Sequence, residues 1–313
     1  MTDRCTVGCS HCSVNAQADS ARVTDFALLE DLVDGLGAEP SFKAIAVTGG
    51  EPFSEARALS YVAERINESD KQLILYTSGV WANPARRPDW VRQVLGRTSC
   101  VVLGVDAYHA ERMPEGRLVT AIEAVVEAGA WLVVQVISGG DGNRDGDARE
   151  RDCAEALLAR ALGPNWPSYA EVNVVRALPY GRGADVFPDR AAAPLAGREL
   201  GRCALVGSPT VRFDGTVTAC CDERVLAGAG PSGLRRRVRS RPQFASALAQ
   251  LREDPYFRVL GRFGADALTR LPLFADLAQS PFRQVCGLCW RAVERVDGAA
   301  PDPMLLALSG AVS

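Results

Sequence analysis

The chain has 313 residues, 47% of them hydrophobic and 23% charged, and a formal net charge of −3. This suits one large or two modest globular domains, and without a dominant basic tract nucleic acid is not an expected partner. No apolar run reaches the ~18 residues needed to span a membrane and no signal peptide precedes Cys5, so a cytoplasmic chain without a membrane partner is expected. The ten cysteines would suggest disulfides in a secreted protein. Here they cluster at ligand spacings, which points to metal in a reducing compartment.

The first of these clusters stands almost at the N-terminus: Cys5-Thr-Val-Gly-Cys9-Ser-His-Cys12. Three thiolates at CxxxCxxC spacing can hold three irons of a [4Fe–4S] cluster, whereas a full set is four. The fourth iron is then open to another ligand. The plainer alternatives are a zinc site, which normally takes four ligands in CxxC-type pairs, and free buried thiols.

From residue 25 onward helix and strand alternate. Thr24 and Asp25 start a helix over 26–36. A buried strand over 43–48 runs into Gly49-Gly50-Glu51-Pro52, where two glycines allow close approach to the backbone and a carboxylate can pair with an ammonium. Ser54 is placed to cap a helix over 55–66. Strands are expected over 72–77, 100–106, 131–137 and 171–178, with helices over 90–95, 118–128 and 149–162 and a Gly/Asp-rich loop over 138–147. Continuous apolar strands alternating with helices imply a parallel sheet covered by helices. In such folds ligands sit at the carboxyl ends of the strands, which nominates Thr77 and Ser78, Asp106 with Tyr108 and His109, Gln135, and Asn173 with Arg176. His109 suits proton transfer near neutrality, and Cys100 and Cys153 read as small buried hydrophobes.

After Leu178-Pro-Tyr-Gly-Arg-Gly183 the chain is Pro/Ala-rich and reads as a linker over 184–202. Cys203 is followed after eleven residues by Gly215 and after four more by Cys220. Between them, Thr210–Thr218 alternates around Asp214-Gly215, a strong hairpin signal. Residues 225–280 read as helical, with amphipathic stripes over 244–251 and 256–271. The basic run Arg235–Arg241 reads as a solvated face. Cys286-Gly-Leu-Cys289 adds a CxxC pair. Cys203, Cys220, Cys286 and Cys289 make four thiolates, enough for an iron–sulfur cluster or a zinc ion. Cys221 stands beside Cys220 as an alternative ligand.

The CxxxCxxC run and the Gly49-Gly50-Glu51-Pro52 turn together resemble the radical S-adenosylmethionine (radical SAM) enzymes. The Cys203 to Cys289 pattern resembles the twitch domain, the shorter relative of the SPASM domain. The resemblance implies an α/β chain: a partial (β/α)6 barrel over 1–183 and a small α+β auxiliary domain over 203–313. It implies a SAM-binding [4Fe–4S] cluster on Cys5, Cys9 and Cys12, with His11 packed over it. It also implies SAM held by Gly49, Gly50, Glu51 and Ser78, ribose contacts from Asp106 and Gln135, and an auxiliary cluster on the four later cysteines. Asp106 and His109 are candidates for acid/base work. Gly104 stands where the family commonly has serine. Only Met1–Arg4 precede Cys5, and Thr2–Arg4 resemble the tail of a first barrel strand; a start placed too late, a shortened chain or an open sheet edge would each account for that.

The chemistry so implied is reductive cleavage of SAM to a 5′-deoxyadenosyl radical that abstracts hydrogen from carbon, driven by an external low-potential electron donor. A fully ligated auxiliary cluster favours net oxidation. Modification of a ribosomally made peptide is the leading expectation. A small-molecule dehydrogenase acting on an aminocyclitol or sugar alcohol is the second, and a non-catalytic iron–sulfur or zinc sensor is the alternative of another class.

Overall fold

The structure, a computed structural model, describes residues 1–85, 88–138, 144–187, 193–298, 300 and 302–310. Parts of the expected 138–147 loop and of the 184–202 linker lie outside the described residues. The chain forms two compact units, Met1–Arg190 and Ala191–Ser313. No described helix is long and apolar enough to cross a membrane.

The first unit is built on five parallel strands in sequential order: β1 (Ala44–Val47), β2 (Gln72–Thr77), β3 (Cys100–Gly104), β4 (Trp131–Ser138) and β5 (Ala170–Arg176). They are joined through α2 (Ala56–Asn67), α3 (Asp89–Leu95), α4 (Ala107–Ala110), α5 (Glu115–Glu127) and α6 (Arg144–Leu162), and α1 (Phe26–Ala38) precedes β1. Sequential parallel strands connected by right-handed crossovers place every helix on one face of the sheet. The burial pattern follows. Ile45, Leu73, Leu75, Leu103, Leu132 and Val134 are buried on the face toward the helices. On the other face Tyr76 is 38% exposed and Asn173 is exposed. Gly104, Gln135 and Asn173 share one register row across this open face.

Asp25 caps α1 by accepting from Leu28 N at 3.0 Å. The start of α2 differs from expectation. Glu55 holds the N-cap position, and Ser54 ends a short 3-10 turn with its hydroxyl on Glu51 O at 2.7 Å. Asp106–His109 is also not an open loop. Asp106 caps the helical turn α4 through Tyr108 N and His109 N, both 3.1 Å. Cys153 is exposed on α6 and Cys100 is half-buried, so neither is the fully buried hydrophobe expected.

The edge beyond β1 is partly covered. Gly50 N donates to Thr2 O at 2.6 Å, Glu51 N donates to Arg4 O at 2.8 Å, and the Met1 amino group donates to Thr48 O at 2.7 Å. The N-terminal residues therefore lie backbone on backbone against the turn that follows β1. A Cβ at Gly49 would stand 2.3 Å from Thr2 O, and one at Gly50 2.1 Å from Arg4 O. Gly49 also has φ +145, which side-chain-bearing residues rarely adopt. The two glycines thus make room for the protein's own N-terminal segment.

The second unit holds two small antiparallel sheets among helices. β7 (Thr210–Val211) and β8 (Thr216–Thr218) form the hairpin around Gly215, whose φ is +85, and β9 (Arg235–Arg237) adds a third strand. β6 (Leu195–Ala196) pairs with β10 (Pro281–Phe282), so the 184–202 segment carries structure of its own, including the helical turn α7 (Gly183–Val186). Within the basic run, Arg235–Arg237 form strand β9, and Arg237, Arg239 and Arg241 are exposed. Arg235 donates to Gly230 O and Arg236 to Gly233 O, each at 2.9 Å, and Arg237 pairs with Asp214 at 2.9 Å. After α8 (Glu223–Leu226), α9 (Arg241–Glu253), α10 (Pro255–Arg262), α11 (Ala265–Leu268) and α12 (Val285–Val296) complete the unit with α13 (Pro303–Gly310). Phe244, Leu248, Tyr256 and Phe257 of the two amphipathic stripes are buried core.

Replacing Gly50 with Ala forces a methyl into the Arg4 carbonyl and is expected to cost ~1–3 kcal/mol, the range for overpacking. Gly116→Ala, where a Cβ meets nothing within 4 Å, is expected to be neutral or to gain up to ~1 kcal/mol. Urea denaturation of the two variants checks this contrast.

Candidate functional site

The turn after β1 delivers Glu51 into the interior, where it is 1% exposed. A buried carboxylate has to be satisfied by donors. Here Oε1 accepts from Phe53 N at 3.1 Å and Thr77 Oγ1 at 2.9 Å, and Oε2 accepts from Ser78 N at 2.9 Å and Ser78 Oγ at 2.5 Å. A carboxylate offers about four lone-pair sites, and these four donors fill them. Glu51 therefore braces the end of β1 to the end of β2. The Ser78 hydroxyl shares this brace with Glu51.

Cys5, Cys9 and Cys12 follow the docked N-terminal residues. Cys5 N donates to Gln17 O at 2.8 Å, and Ala16 N donates to Cys12 Sγ at 3.3 Å. Cys9 is buried and the other two are half-buried. Burial pushes the Cys5 thiol up, with the nearby Glu51 charge adding to it.

The loop is held from the far end of the unit by Arg182. Its Nε donates to Cys9 O at 3.0 Å, its Nη1 to Ala16 O at 2.9 Å and to Asn15 Oδ1 at 3.1 Å, and its backbone N donates to Cys12 O at 2.9 Å. The flanking glycines lie as close: a Cβ at Gly181 would stand 2.5 Å from Cys12 O, and one at Gly183 2.8 Å from His11 O. The sequence reading passed over this segment as the approach to a linker. The Gly-Arg-Gly spacing was its only signal.

On the β3 side, His109 Nδ1 lies 2.9 Å from Asp106 Oδ2, with the two side chains 15% and 1% exposed. Burial disfavours the charged ring, but the bond to Asp106 and its negative charge outweigh it and raise its pKa to about 10. Burial likewise acts to raise Asp106, and the His109 hydrogen bond overcomes it, holding the carboxyl below its ordinary range. The His11 ring sits 4.9 Å from that of His109 and 5.1 Å from that of Tyr108, and burial lowers its pKa. Asp106 thus caps α4 and fixes the His109 ring. Gln135 remains half-buried on the open face.

The second cysteine set also comes together. Cys203, Cys220, Cys286 and Cys289 line one partly enclosed cavity. The hairpin brings in Cys220, and α12 presents Cys286 and Cys289 one turn apart. Cys221 is exposed and is not part of this lining. Burial raises the thiols of Cys220 to about 11 and of Cys286 and Cys289 to about 12, the Asp222 carboxylate adding to the shift at Cys286. Buried neutral thiols of this kind become thiolates when a cation supplies the compensating charge.

Tetrahedral zinc with Zn–S near 2.3 Å needs sulfurs about 3.8 Å apart. Among the described residues, the group of His, Cys, Asp and Glu with ligand atoms all within 4.8 Å is His11, Asp106 and His109, and neither cysteine set is such a group. Four thiols lining one cavity are a donor set that an iron–sulfur cluster or a zinc ion can use.

Residues 1–151 match the profile of the Radical SAM superfamily. A stretch of 112 residues is 24% identical to the provisionally named peptide biosynthesis protein YydG of Bacillus subtilis (strain 168), covering 35% of each chain. The matched region thus spans about a third of that relative. The fold is similar to that of anSMEcpe with bound AdoMet and Cp18Cys peptide, with a TM-score of 0.52 and 13% identity over 100% of this chain and 97% of the other. A second structure, anSMEcpe with bound AdoMet, gives 0.51 and 12% over 100% and 98%. At these identities the likeness is one of fold.

Glu51→Gln keeps the shape but turns an amide NH₂ toward either Phe53 N or the Ser78 donors. One buried donor then loses its acceptor, at an expected cost of ~1–3 kcal/mol. Chemical denaturation showing unchanged stability would contradict the brace.

Proposed function

We propose that this chain, whose residues 1–151 form a radical SAM superfamily domain, reductively cleaves SAM and oxidatively modifies a C–H position in a ribosomally synthesised peptide. The observation that carries the first half is the docking of Thr2 and Arg4, which lead directly into Cys5, on Gly49–Glu51 at the carboxyl end of β1. When bound, the N-terminal [4Fe–4S] cluster supplies the electron that converts SAM to a 5′-deoxyadenosyl radical, and the auxiliary cluster supplies a one-electron acceptor.

The chain's own residues do the positioning. Cys5, Cys9 and Cys12 hold three irons, and Arg182 with Gly181 and Gly183 fixes the loop that carries them. Glu51 and Ser78 keep the ends of β1 and β2 in register beside it. The open face with Gln135 and Asn173 receives the adenosyl group and the reacting carbon. In the second unit, Cys203, Cys220, Cys286 and Cys289 are the ligands of the auxiliary cluster. Their common cavity favours Cys220 over Cys221. The peptide substrate is supported by the name of the relative YydG and by the peptide bound in the fold neighbour. An external low-potential donor is required to start each turnover.

The test is anaerobic reconstitution followed by incubation with SAM, reductant and a candidate short precursor peptide. Wild type should yield 5′-deoxyadenosine and a peptide lighter by two hydrogens. The Cys5→Ala, Cys9→Ala and Cys12→Ala triple variant should yield neither. The Cys286→Ala and Cys289→Ala double variant should retain part of the SAM cleavage but lose the modified peptide, and its iron should fall from about eight to about four per chain. Equal loss of cleavage and product in a folded double variant would contradict the separate role of the second cluster.

A further inference from the structure

The second unit holds an open cavity beside the four-cysteine one, and nothing in the proposed chemistry uses it. Its floor is apolar: Ala219, Leu248, Leu251 and Phe257, each of them buried. Val206 and Pro209 form one wall. Val206 comes close because Gly261 carries no side chain; a Cβ there would stand 2.8 Å from Val206 Cγ1. Every charged residue that lines the cavity is an arginine. Arg252 stands in the last turn of α9, and Arg258 and Arg262 lie four residues apart on α10, a spacing that puts them on one helix face. Arg258 is half-buried and Arg262 is exposed. Among the described residues, neither makes an ion pair or a side-chain hydrogen bond, and no carboxylate lines the cavity. Other guanidinium groups of this unit are answered from within: Arg224 by Asp222 at 2.8 Å, Arg237 by Asp214 at 2.9 Å and Arg295 by Asp276 at 2.6 Å. A concave apolar floor with a few charged groups of one sign at its rim is the form of a binding site for an amphipathic anion.

We propose that this cavity docks an acidic, amphipathic segment of the peptide substrate outside the residue that is modified. An apolar side chain enters over Leu248 and Phe257, while flanking carboxylates meet Arg258 and Arg262. The inference rests on the peptide reading above. An inorganic anion would gain nothing from the apolar floor. A folded acidic electron carrier would meet the arginines with a convex surface and leave the floor empty. A flexible segment supplies both a projecting apolar group and carboxylates on either side of it. Guanidinium groups without internal acids also reject basic segments, since like charges brought together repel. Val206, Ala219 and Phe257 line this cavity and the four-cysteine cavity alike, so a segment held here passes beside the second centre.

The experiment is fluorescence anisotropy on the full chain with its clusters loaded, without SAM or reductant. The probe is a labelled synthetic peptide with leucine and phenylalanine set among glutamates. Wild type should bind it. The Arg258→Glu and Arg262→Glu double variant should bind it ~tenfold more weakly, because two attractions have become repulsions. Arg262→Glu alone, at an exposed position, should weaken binding in the same direction and decides if the double variant does not fold. Arg270→Glu, exposed and outside the cavity, should leave binding unchanged. A probe with alanine in place of leucine and phenylalanine should lose ~tenfold as well. A wild type that does not bind the probe, folded variants that bind it as well as wild type, or an alanine probe that binds equally would overturn the proposal. So would an acidic ferredoxin that displaces the probe and loses its own binding in the same variants, which would assign the cavity to a redox carrier. Binding as expected with no modified peptide in turnover would instead overturn the reading beneath it.

Discussion

The first unit depends on one close approach of backbone to backbone. Thr2 and Arg4 accept hydrogen bonds from Gly50 and Glu51, and the carbonyls stand where Cβ atoms would be if positions 49 and 50 were not glycine. Because Cys5 is the next residue, the three-cysteine loop inherits its position from this contact. The same turn sends Glu51 inward, where its carboxylate joins the ends of two strands. A single tetrapeptide therefore sets both where the ligands stand and what shape the neighbouring strand ends keep.

Two buried carboxylates organise the site from either side. Glu51 is satisfied by neutral donors within its own pair of strand ends. Asp106 is satisfied by a helix turn and by a histidine ring. Each carboxylate fixes the geometry at the end of a strand. A buried carboxylate with fewer partners would be costly to the fold. Arg182 completes the frame by collecting carbonyls of the loop from 173 residues away in sequence.

The legible parts of this chain were those governed by local periodicity and by ligand spacing. The five strands could be read because a parallel sheet covered by helices demands near-continuous apolar runs, and their ends fell within a few residues of expectation. The Asp214-Gly215 hairpin was legible because that dipeptide suits the backbone twist of a tight turn. The site's supporting contacts were not legible, because they join segments distant in sequence and depend on the absence of atoms. Gly49 and Gly50 read as room for close approach to the backbone, and Thr2 and Arg4 lie against them. Gly104 looked like a lost polar contact and proved to be the seat of His109. Arg182 carried no signal beyond its two flanking glycines, and the capping role of Asp106 was masked by its place at a strand end, where ligand contacts are usual.

The two cysteine sets, each gathered within its own unit, give the chain two centres of different character: one with three thiolates beside an open sheet face, one with four in a cavity. The central claim is that the three-thiolate centre presents an open iron to SAM. Electron paramagnetic resonance of the anaerobically reconstituted, reduced wild-type chain, recorded before and after SAM is added, tests it most directly. The account predicts two cluster signals, one of which changes with SAM and disappears when Cys5, Cys9 and Cys12 are replaced by Ala. A spectrum indifferent to SAM, or a SAM-sensitive signal that survives those replacements, would contradict it.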